Sequence, residues 1–346
     1  MLFRSLDYDL DGDLDLFLGG SVQPSRFPMS EKSCLLSNDG KGNFTKVSDW
    51  DLGIVTDAAI ADINSDKFPE IITTAEWKPI QVLENMQSAV SSQQSAVGSR
   101  QFQLTQLPNH SITNKSGFFS RIKATDLDND GDTDFVVGNI GLNTPFHINQ
   151  EKPLKLYYAD FDKNGSIDPY MTYFFEDKPY PAAGRDEALE QVVSLRKKFT
   201  DYKSYSLSSI EDIFGKDVIE NTPQLTVNEA KSGILINNKS ILEWKALPME
   251  AQVAPVYAIE IADFNKDGKL DILLGGNNST FRLRIGKIDA NHGILLLGNG
   301  KNDFKATNSG LNWQGDVRDI QTIQTKKGKV LMVSQNNDKM LFTKFR

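Results

Sequence analysis

Residues 7–15 read DYDLDGDLD, which places five aspartates within nine positions, and the apolar run LFLGG follows at once. Carboxylates this close together repel one another unless a cation lies among them. Side-chain oxygens that alternate along a turn can converge on one point. An acidic set made only of oxygen ligands favours Ca²⁺, which takes about six to eight oxygens. The stretch therefore predicts a calcium-binding loop.

The same pattern, D-x-[DN]-x-[DN]-G-x-x-[DE], occurs five times along the chain. We number the loops 1 to 5 in chain order, and they cover residues 7–15, 62–70, 126–134, 160–168 and 263–271. Loop 2 departs most, because Lys67 replaces the glycine and Pro69 stands near its end. One copy alone is also compatible with an ordinary Asp/Asn/Gly turn that binds no metal. Five copies in matching contexts favour calcium sites.

We predict that positions 1, 3, 5 and 9 of each loop offer side-chain oxygens and that position 7 offers its backbone carbonyl. The predicted metal ligands are Asp7, Asp9, Asp11, Asp13 and Asp15 in loop 1; Asp62, Asn64, Asp66 and Glu70 in loop 2; Asp126, Asp128, Asp130, Asp132 and Asp134 in loop 3; Asp160, Asp162, Asn164, Ser166 and Asp168 in loop 4; and Asp263, Asn265, Asp267, Lys269 and Asp271 in loop 5.

An EF-hand is the alternative calcium loop, but it requires a glutamate at position 12 and flanking helices. Position 12 is instead occupied by Leu18, Thr73, Val137, Met171 and Leu274. The flanks are short runs rich in β-branched and aromatic residues, such as VYAIEIADF before loop 5 and LDILLGG at its end. Runs of this kind are typical of buried strands.

The elements that position the loops are strands and hairpins. Gly/Asn/Asp clusters at 38–43 and 298–303 connect two further strands after loops 1 and 5, which is usual turn chemistry. Each unit thus has four antiparallel strands, and such units repeated along a chain predict an all-β propeller of four-stranded blades. A sixth unit without an acidic loop is indicated by strands at 317–325, 329–335 and 339–345.

Two segments depart from the plain blade. Residues 88–100 are a low-complexity run, which we interpret as a flexible loop. Residues 185–199 have helical periodicity, and SSIEDIFG at 208–215 offers Ser208 and Glu211 as a capping box with Gly215 at the end. We interpret 182–232 as a helical insertion in the fourth unit, with a return to strand at 233–238. We expect this insertion, with the nearby Tyr170 and Tyr173, to serve in recognition.

The loop pattern between two strands, followed by NDGKGNF at 38–44, resembles the FG-GAP/VCBS repeat of integrin-α-like β-propellers. Further stretches resemble a bacterial group of VCBS-repeat proteins often associated with ASPIC/UnbV segments: GIVTDAA (53–59), AEWKPIQVLEN (75–85), GNIGLN (138–143), SLRKKF (194–199) and GDVRDI (315–320). The resemblance implies calcium in the loops, seven blades in the intact domain, and a secreted or cell-surface setting. We therefore expect residues 1–346 to be one propeller domain of a longer polypeptide, truncated at its N-terminus.

Composition excludes several classes of function. The net charge of -8 argues against nucleic-acid binding, which needs clustered Lys and Arg. No apolar run approaches the ~20 residues of a transmembrane helix. The histidines His110, His147 and His292 are isolated from one another, and the chain lacks the G-x-S-x-G, Walker and H-E-x-x-H motifs. The sequence therefore predicts no catalytic residue.

Two functions remain open at this point. The first is a non-enzymatic calcium-binding propeller for surface adhesion or for recognition of a protein or glycan. The alternative is a glycan-active propeller enzyme such as a polysaccharide lyase or hydrolase, whose site would lie at the mouth of the channel. For the tryptophans we expect packing in the core or at blade edges rather than sugar binding: Trp50, Trp77, Trp244 and Trp313.

Overall fold

The structure is a computed structural model that describes residues 2–87, 100–105, 112, 114–280, 286–326 and 328–344. These residues form six antiparallel sheets. The first, blade I, has its strands in chain order: β1 (Leu2–Leu6), β2 (Asp15–Gly19), β3 (Ser33–Asn38) and β4 (Phe44–Trp50). Loop 1 joins β1 to β2, and Asp15 is the first residue of β2.

Blade II repeats this order and adds a fifth, short strand. Its strands are β5 (Ile54–Ala61), β6 (Glu70–Pro79), β7 (Gln81–Gln87), β8 (Arg100–Thr105) and β9 (Ser116–Phe118). The additional strand β9 pairs with the far end of β6. The predicted flexible loop at 88–100 lies outside the described residues except for its last residue, which begins β8.

The third sheet, blade III, begins with β10 (Arg121–Thr125) and β11 (Asp134–Gly138), which flank loop 3. The chain then leaves this sheet and builds a complete second one before it returns. We call this segment, residues 139–232, the inserted unit. Its strands are β12 (Leu154–Ala159), β13 (Asp168–Phe175), β14 (Lys178–Pro181) and β15 (Gln224–Val227), in the spatial order β14-β13-β12-β15.

Short helices connect β14 to β15 within the inserted unit: α1 (Arg185–Gln191), α2 (Tyr202–Ser206), α3 (Ile210–Phe214) and α4 (Lys216–Glu220), with a 3-10 helix at Val193–Lys197. Their apolar side chains pack on one face of the sheet around Tyr157 and Tyr170. The other face, with Leu154 and Leu156, packs against Trp77 of blade II. The expected helical insertion in the fourth unit is therefore confirmed.

The chain returns to blade III with β16 (Gly233–Asn238) and β17 (Ile241–Ala246), and β16 pairs with β11. Residues 233–238 form a strand as expected, but this strand belongs to blade III and not to the fourth unit, whose sheet β15 already completes. The predicted capping box is also displaced by one residue. Ser209 is the N-cap of α3, and its hydroxyl accepts a hydrogen bond from the Asp212 backbone N–H, while Gly215 ends the helix as expected.

Two further sheets complete the fold. Blade IV contains β18 (Val256–Ala262), β19 (Asp271–Gly276), β20 (Ile294–Gly298) and β21 (Phe304–Thr307), and a 3-10 helix at Met249–Gln252 precedes it. Blade V contains β22 (Val317–Thr325), β23 (Gly328–Gln335) and β24 (Leu341–Thr343). No helix in the described part of the chain is long and apolar enough to cross a membrane.

The five blades follow one another through their first strands, since β5 contacts β1 and β10, β18 contacts β10, and β22 contacts β18. A separate apolar cluster fills each junction: I with II, II with III, III with IV, and IV with V. The predicted all-β fold of propeller blades is thus confirmed. The structure adds that the fourth unit in sequence is nested within the third blade.

Glycines at the ends of the second strands allow the blades to approach closely. A methyl group added at Gly138 would lie 2.3 Å from the carbonyl oxygen of Val256, in the first strand of the next blade. One added at Gly275 would lie 2.6 Å from Val317 Cγ1, again in the next blade. The glycines at the ends of the strands that follow loops 1, 3 and 5 therefore allow neighbouring blades to pack closely.

Candidate metal centres

The first carboxylate of every loop shapes the turn. In loop 1, Asp7 accepts hydrogen bonds from the backbone N–H groups of Asp11 and Gly12, both at 3.1 Å. Positions 5 and 6 donate to position 1 in the same way in the other four loops. Even Lys67, which replaces the glycine of loop 2, adopts the left-handed backbone with φ 77°. All five predicted loops therefore share one backbone geometry.

The last carboxylate, at position 9, ties each loop to its sheet. It is buried in all five loops and accepts a hydrogen bond from the backbone N–H of position 2. In loops 1, 3 and 5 a third strand donates to its other oxygen; in loop 1 the donor is Asn38, 2.9 Å from Asp15 Oδ1. Position 9 thus has a structural role whether or not a metal is bound.

Position 3 differs, because one of its oxygens is left without a partner in three loops. The Oδ1 atoms of Asp9, Asp128 and Asp162 are shielded from solvent and have no hydrogen-bond partner among the described residues. A buried carboxylate oxygen without a partner is costly. A bound cation removes that cost, so these three loops fit a metal ion.

The same three loops bring three carboxylates together. Oxygens of positions 1, 3 and 9 lie within 4.8 Å of one another in Asp7–Asp9–Asp15, in Asp126–Asp128–Asp134 and in Asp160–Asp162–Asp168. Clusters made only of oxygen ligands suit Ca²⁺ or Mg²⁺ rather than zinc or copper. The predicted side-chain ligands at position 5 are outside these clusters, and the backbone carbonyl at position 7 stays a prediction. Position 5 instead accepts a hydrogen bond from the position 7 N–H, as Asp11 does from Asp13 at 2.9 Å.

Loops 2 and 5 are weaker candidates because position 3 is an asparagine. Asn64 Oδ1 accepts a hydrogen bond from the Asp66 N–H at 3.0 Å. Asn265 Oδ1 accepts one from the Asp267 N–H, and its Nδ2 donates to Asp267 Oδ2 at 3.1 Å. The loss of one carboxylate lowers the charge available to a cation. Glu70 replaces aspartate at position 9 of loop 2 and keeps the bond to the Ile63 N–H.

The electrostatics of the loops agree with this geometry. Burial, the largest cause, raises the pKa of Asp134 to about 6, and the nearby Asp128 carboxylate adds to this rise. Hydrogen bonds from the backbone N–H groups of Asn237 and Leu127 lower the pKa in part. Burial likewise raises the pKa of Glu70 to about 7. The metal-free loops therefore hold their negative charge at a cost, which a divalent cation would offset.

Asparagines from the following blade also hold the loops. Asn85 Nδ2 of blade II donates to the Tyr8 carbonyl of loop 1 at 2.7 Å, and Asn237 Nδ2 of blade III donates to the Ile63 carbonyl of loop 2 at 3.0 Å. Asn302 of blade IV donates to Asp128 Oδ2 of loop 3 at 2.9 Å. The conformation of each of these loops thus depends on its contact with the neighbouring blade.

Sequence reasoning missed the charged residues that line a cleft between the first strands of the blades, which we call the channel. Asp57 is buried and pairs with Arg4 of blade I and with Arg121 of blade III, whose Nη1 lies 3.7 Å from Asp57 Oδ2. Arg121 also pairs with Asp319 of blade V at 3.1 Å, and Lys123 pairs with Glu260 of blade IV. The available signal was a charged residue within each apolar first strand. The pairing itself depends on how the first strands of different blades lie beside one another.

The remaining sequence candidates take no part in the metal clusters. His147 and His292 are exposed, and His110 lies outside the described residues. Trp77 and Trp313 are buried, while Trp50 and Trp244 pack against the cores from partly buried positions, so the expectation that the tryptophans serve packing is confirmed. Tyr170 is fully buried and donates to the Ala188 carbonyl at 3.1 Å, so its expected recognition role is wrong.

Comparison with known proteins supports the repeat. Residues 7–73 match the FG-GAP-like repeat family, which covers loops 1 and 2 and confirms the resemblance. No curated protein matches the chain. Among solved structures, the chain is similar to the exotype rhamnogalacturonan lyase YesX, with 10% sequence identity and a TM-score of 0.35. The alignment covers 97% of this chain and 54% of the lyase chain, so this chain spans about half the length of that protein.

Proposed function

We propose that the protein is a calcium-binding β-propeller module that recognises a protein or glycan ligand without chemically altering it. The observation that carries the calcium assignment is the partnerless Oδ1 atom of Asp9, Asp128 and Asp162, each within a cluster of three carboxylates. Bound calcium would neutralise the like charges and fix each loop to its blade. Because weak calcium sites of about 10⁻⁴–10⁻³ M fill outside cells, a secreted or cell-surface setting suits this module.

The recognition surface that we propose is a groove on the inserted unit. It is lined by Tyr173, Phe175, Tyr180 and Tyr202, and the rings of Phe175 and Tyr202 are exposed. Aromatic side chains offer a large, rigid contact area to protein and sugar ligands. We therefore retain Tyr173 from the sequence prediction and add three neighbouring rings.

Polar groups at the same groove would orient the ligand. The Arg185 guanidinium carbon lies 5.0 Å from the centre of the Tyr202 ring, and the Tyr202 hydroxyl donates to Asp186 Oδ2 at 2.8 Å. The ring of Tyr202 is thus held in place although it is exposed. A preformed aromatic surface costs less entropy on binding than a mobile one.

The cations of the channel are paired, which argues against a catalytic site at the channel itself. The cations Arg4, Arg121 and Lys123 each have a carboxylate partner within the described channel. A glycan lyase or hydrolase, the alternative function, would instead need an acid or base group free to reach a substrate.

Calorimetric titration of Ca²⁺ into chelator-treated protein tests the metal assignment. We expect at least three sites, and a Tm that rises with calcium, since one site filled at a hundredfold excess over its Kd adds about 2.7 kcal/mol. An unchanged melting curve in excess EDTA would contradict the proposal. A glycan array together with an assay for released sugar tests recognition. Binding without release is expected, and product release would favour the enzyme.

A further inference from the structure

A cavity of about 990 Å³ lies between the inserted unit and the propeller, and it adjoins the aromatic groove, with which it shares Ala183 and Glu187. Blade II contributes Trp77 and Phe118, blade IV contributes Tyr257, and the inserted unit contributes Phe146 and Glu187. A volume of this size accommodates a small organic molecule.

The wall formed by blade II is irregular in a way that serves the cavity. Neighbouring residues of a strand normally face opposite sides of the sheet. Glu76 and Trp77 both line this cavity, because a β-bulge interrupts the pairing of β6 with β9 between Glu76 and Lys78. Trp77 has a φ of 64°, in the left-handed region that a bulky residue rarely adopts. Bulges and strained residues of this kind are frequent at binding sites.

The walls are aromatic. The rings of Trp77 and Phe118 meet edge to face with their centres 4.8 Å apart, and Phe146 lines the cavity from the inserted unit. Tyr257 faces the cavity from blade IV. The negatively charged faces of such rings attract organic cations within about 6 Å.

The charge of the cavity is one-sided. Among the described lining residues Glu76 and Glu187 are acidic and none is basic. The Glu76 carboxylate has no hydrogen-bond or ion-pair partner in the described part of the chain, and burial raises its pKa. The nearby Arg318, whose guanidinium carbon lies 4.5 Å from the Tyr257 ring centre, is already paired with Asp316.

We propose that this cavity binds a small organic cation, an ammonium group on an apolar or aromatic body, with the Glu76 carboxylate as its counter-charge. The aromatic walls hold the body and Glu76 receives the charged head. A ligand with a carboxylate is excluded, because two like charges and no cation would face it. The counter-charge Glu76 lines this cavity and not the groove of the inserted unit, so substitutions of Glu76 test this site alone.

The test is calorimetry on the full chain with calcium present, with three ligands of one shape: 2-phenylethylammonium, the neutral 2-phenylethanol and the anionic 3-phenylpropionate. We expect the cation to bind at least tenfold more tightly than the alcohol and the anion not to bind. Glu76→Gln should weaken the cation at least tenfold and leave the alcohol unchanged. Glu190→Gln, an exposed substitution on α1, should change nothing.

Three results would overturn the proposal. One is the absence of cation binding at millimolar concentration, a second is equal binding of cation and anion, and a third is a Glu76→Gln variant that binds the cation as the parent does. The ligand series on the parent protein decides the question even if the variant fails to fold.

Discussion

The backbone N–H of Asn237 donates a hydrogen bond of 2.8 Å to Oδ1 of Asp134, across a sequence separation of 103 residues. Asp134 begins β11 and Asn237 lies in β16, so this bond fixes the register at which the chain re-enters blade III after the inserted unit. The other oxygen of Asp134 accepts from Leu127 of loop 3 at 3.0 Å. One carboxylate therefore joins a metal loop to the closure of its blade.

In each loop, position 9 serves the structure and position 3 serves metal binding, and substitutions in loop 1 test this separation of roles. Asp15→Ala removes the acceptor of the Tyr8 and Asn38 N–H groups. We expect it to cost about 2 kcal/mol or more even in EDTA, since buried donors lose their partner. Asp9→Ala removes a carboxylate whose shielded Oδ1 has no hydrogen-bond partner among the described residues and which repels Asp7 and Asp15. It should therefore not lower stability in EDTA, yet it should abolish one calcium site. Chemical denaturation with and without calcium measures both, and equal losses in EDTA would refute this separation of roles.

Loop 5 offers the reciprocal test, because it has asparagine where loops 1, 3 and 4 have aspartate. Asn265→Asp creates the missing third carboxylate beside Asp263 and Asp271. Calcium affinity should rise on the order of tenfold, as site charge tunes affinity, whereas Tm in EDTA should fall because like charges repel. Titration calorimetry measures the calcium affinity, and thermal melts with calcium and with EDTA measure the change in Tm. A variant that lowers Tm equally with calcium present speaks against metal binding in this loop.

The contribution of each channel ion pair to the free energy of unfolding should depend on how deeply its carboxylate is buried. Asp57→Asn removes a charge that is 1% exposed and faces Arg4 and Arg121, and we expect a loss of about 3 kcal/mol or more. Asp319→Asn removes the other partner of Arg121, which is 42% exposed, and should cost less than about 1 kcal/mol. Urea unfolding of both variants makes the comparison. Similar losses of stability in the two variants would mean that pairing with the arginine, and not the burial of the carboxylate, determines the contribution of each ion pair.

The packing between blades predicts a severe effect for a single methyl group. In Gly138→Ala the new Cβ meets the Val256 carbonyl oxygen at 2.3 Å, so blades III and IV must separate, at a cost of about 1–3 kcal/mol. Gly315→Ala is the matched control. Its Cβ meets the amide end of Gln335, a flexible side chain that can move away. Thermal melts should show a clear loss for the first variant and little for the second.

Glu76 predicts a pH dependence. Because burial raises the pKa of its carboxyl above the usual 4.5, the unfolded chain releases this proton at lower pH than the folded protein does. Its contribution to the free energy of unfolding therefore falls as the pH rises above 4.5. Glu76→Gln should raise Tm by about 1–3 °C at pH 8 and have little effect at pH 4.

The control for this pH dependence is Glu190→Gln, which lies at an exposed position of α1 and should show no such trend. A Glu76→Gln variant that melts below wild type at pH 8 would indicate that the carboxylate has a stabilising partner.

Local features of the fold could be read from the sequence, because they depend on neighbours in the chain. The five loops, their flanking strands and the last three-stranded unit follow from spacing and alternation. The partner of 233–238 could not be read, since both β11 and β15 precede it and alternation does not choose between them. The burial of Tyr170 could not be predicted either. The inserted sheet is covered on both faces, so the alternation of residues does not identify an exposed side.

The candidate sites divide in the same way. Turn chemistry predicts the carboxylates at positions 1, 3 and 9, which lie close in sequence. The partners of Asp57 come from strands of different blades, and the cavity at Glu76 depends on a β-bulge and on a distant helix. Such sites arise from the arrangement of the blades and the inserted unit together, and no short stretch of sequence contains them.

The nesting of one sheet within another sets an order of assembly on the ribosome. When β11 emerges, the edge that β16 will occupy stays open until the whole inserted unit has been made, and open strand edges invite wrong pairing. The inserted unit has its own apolar core and its own acidic loop, so it can fold in that interval. Loop 4 is then complete before the blade that carries loop 3 is closed. We expect nascent chains that end between residues 139 and 232 to be prone to aggregation, because the edge of β11 is still open.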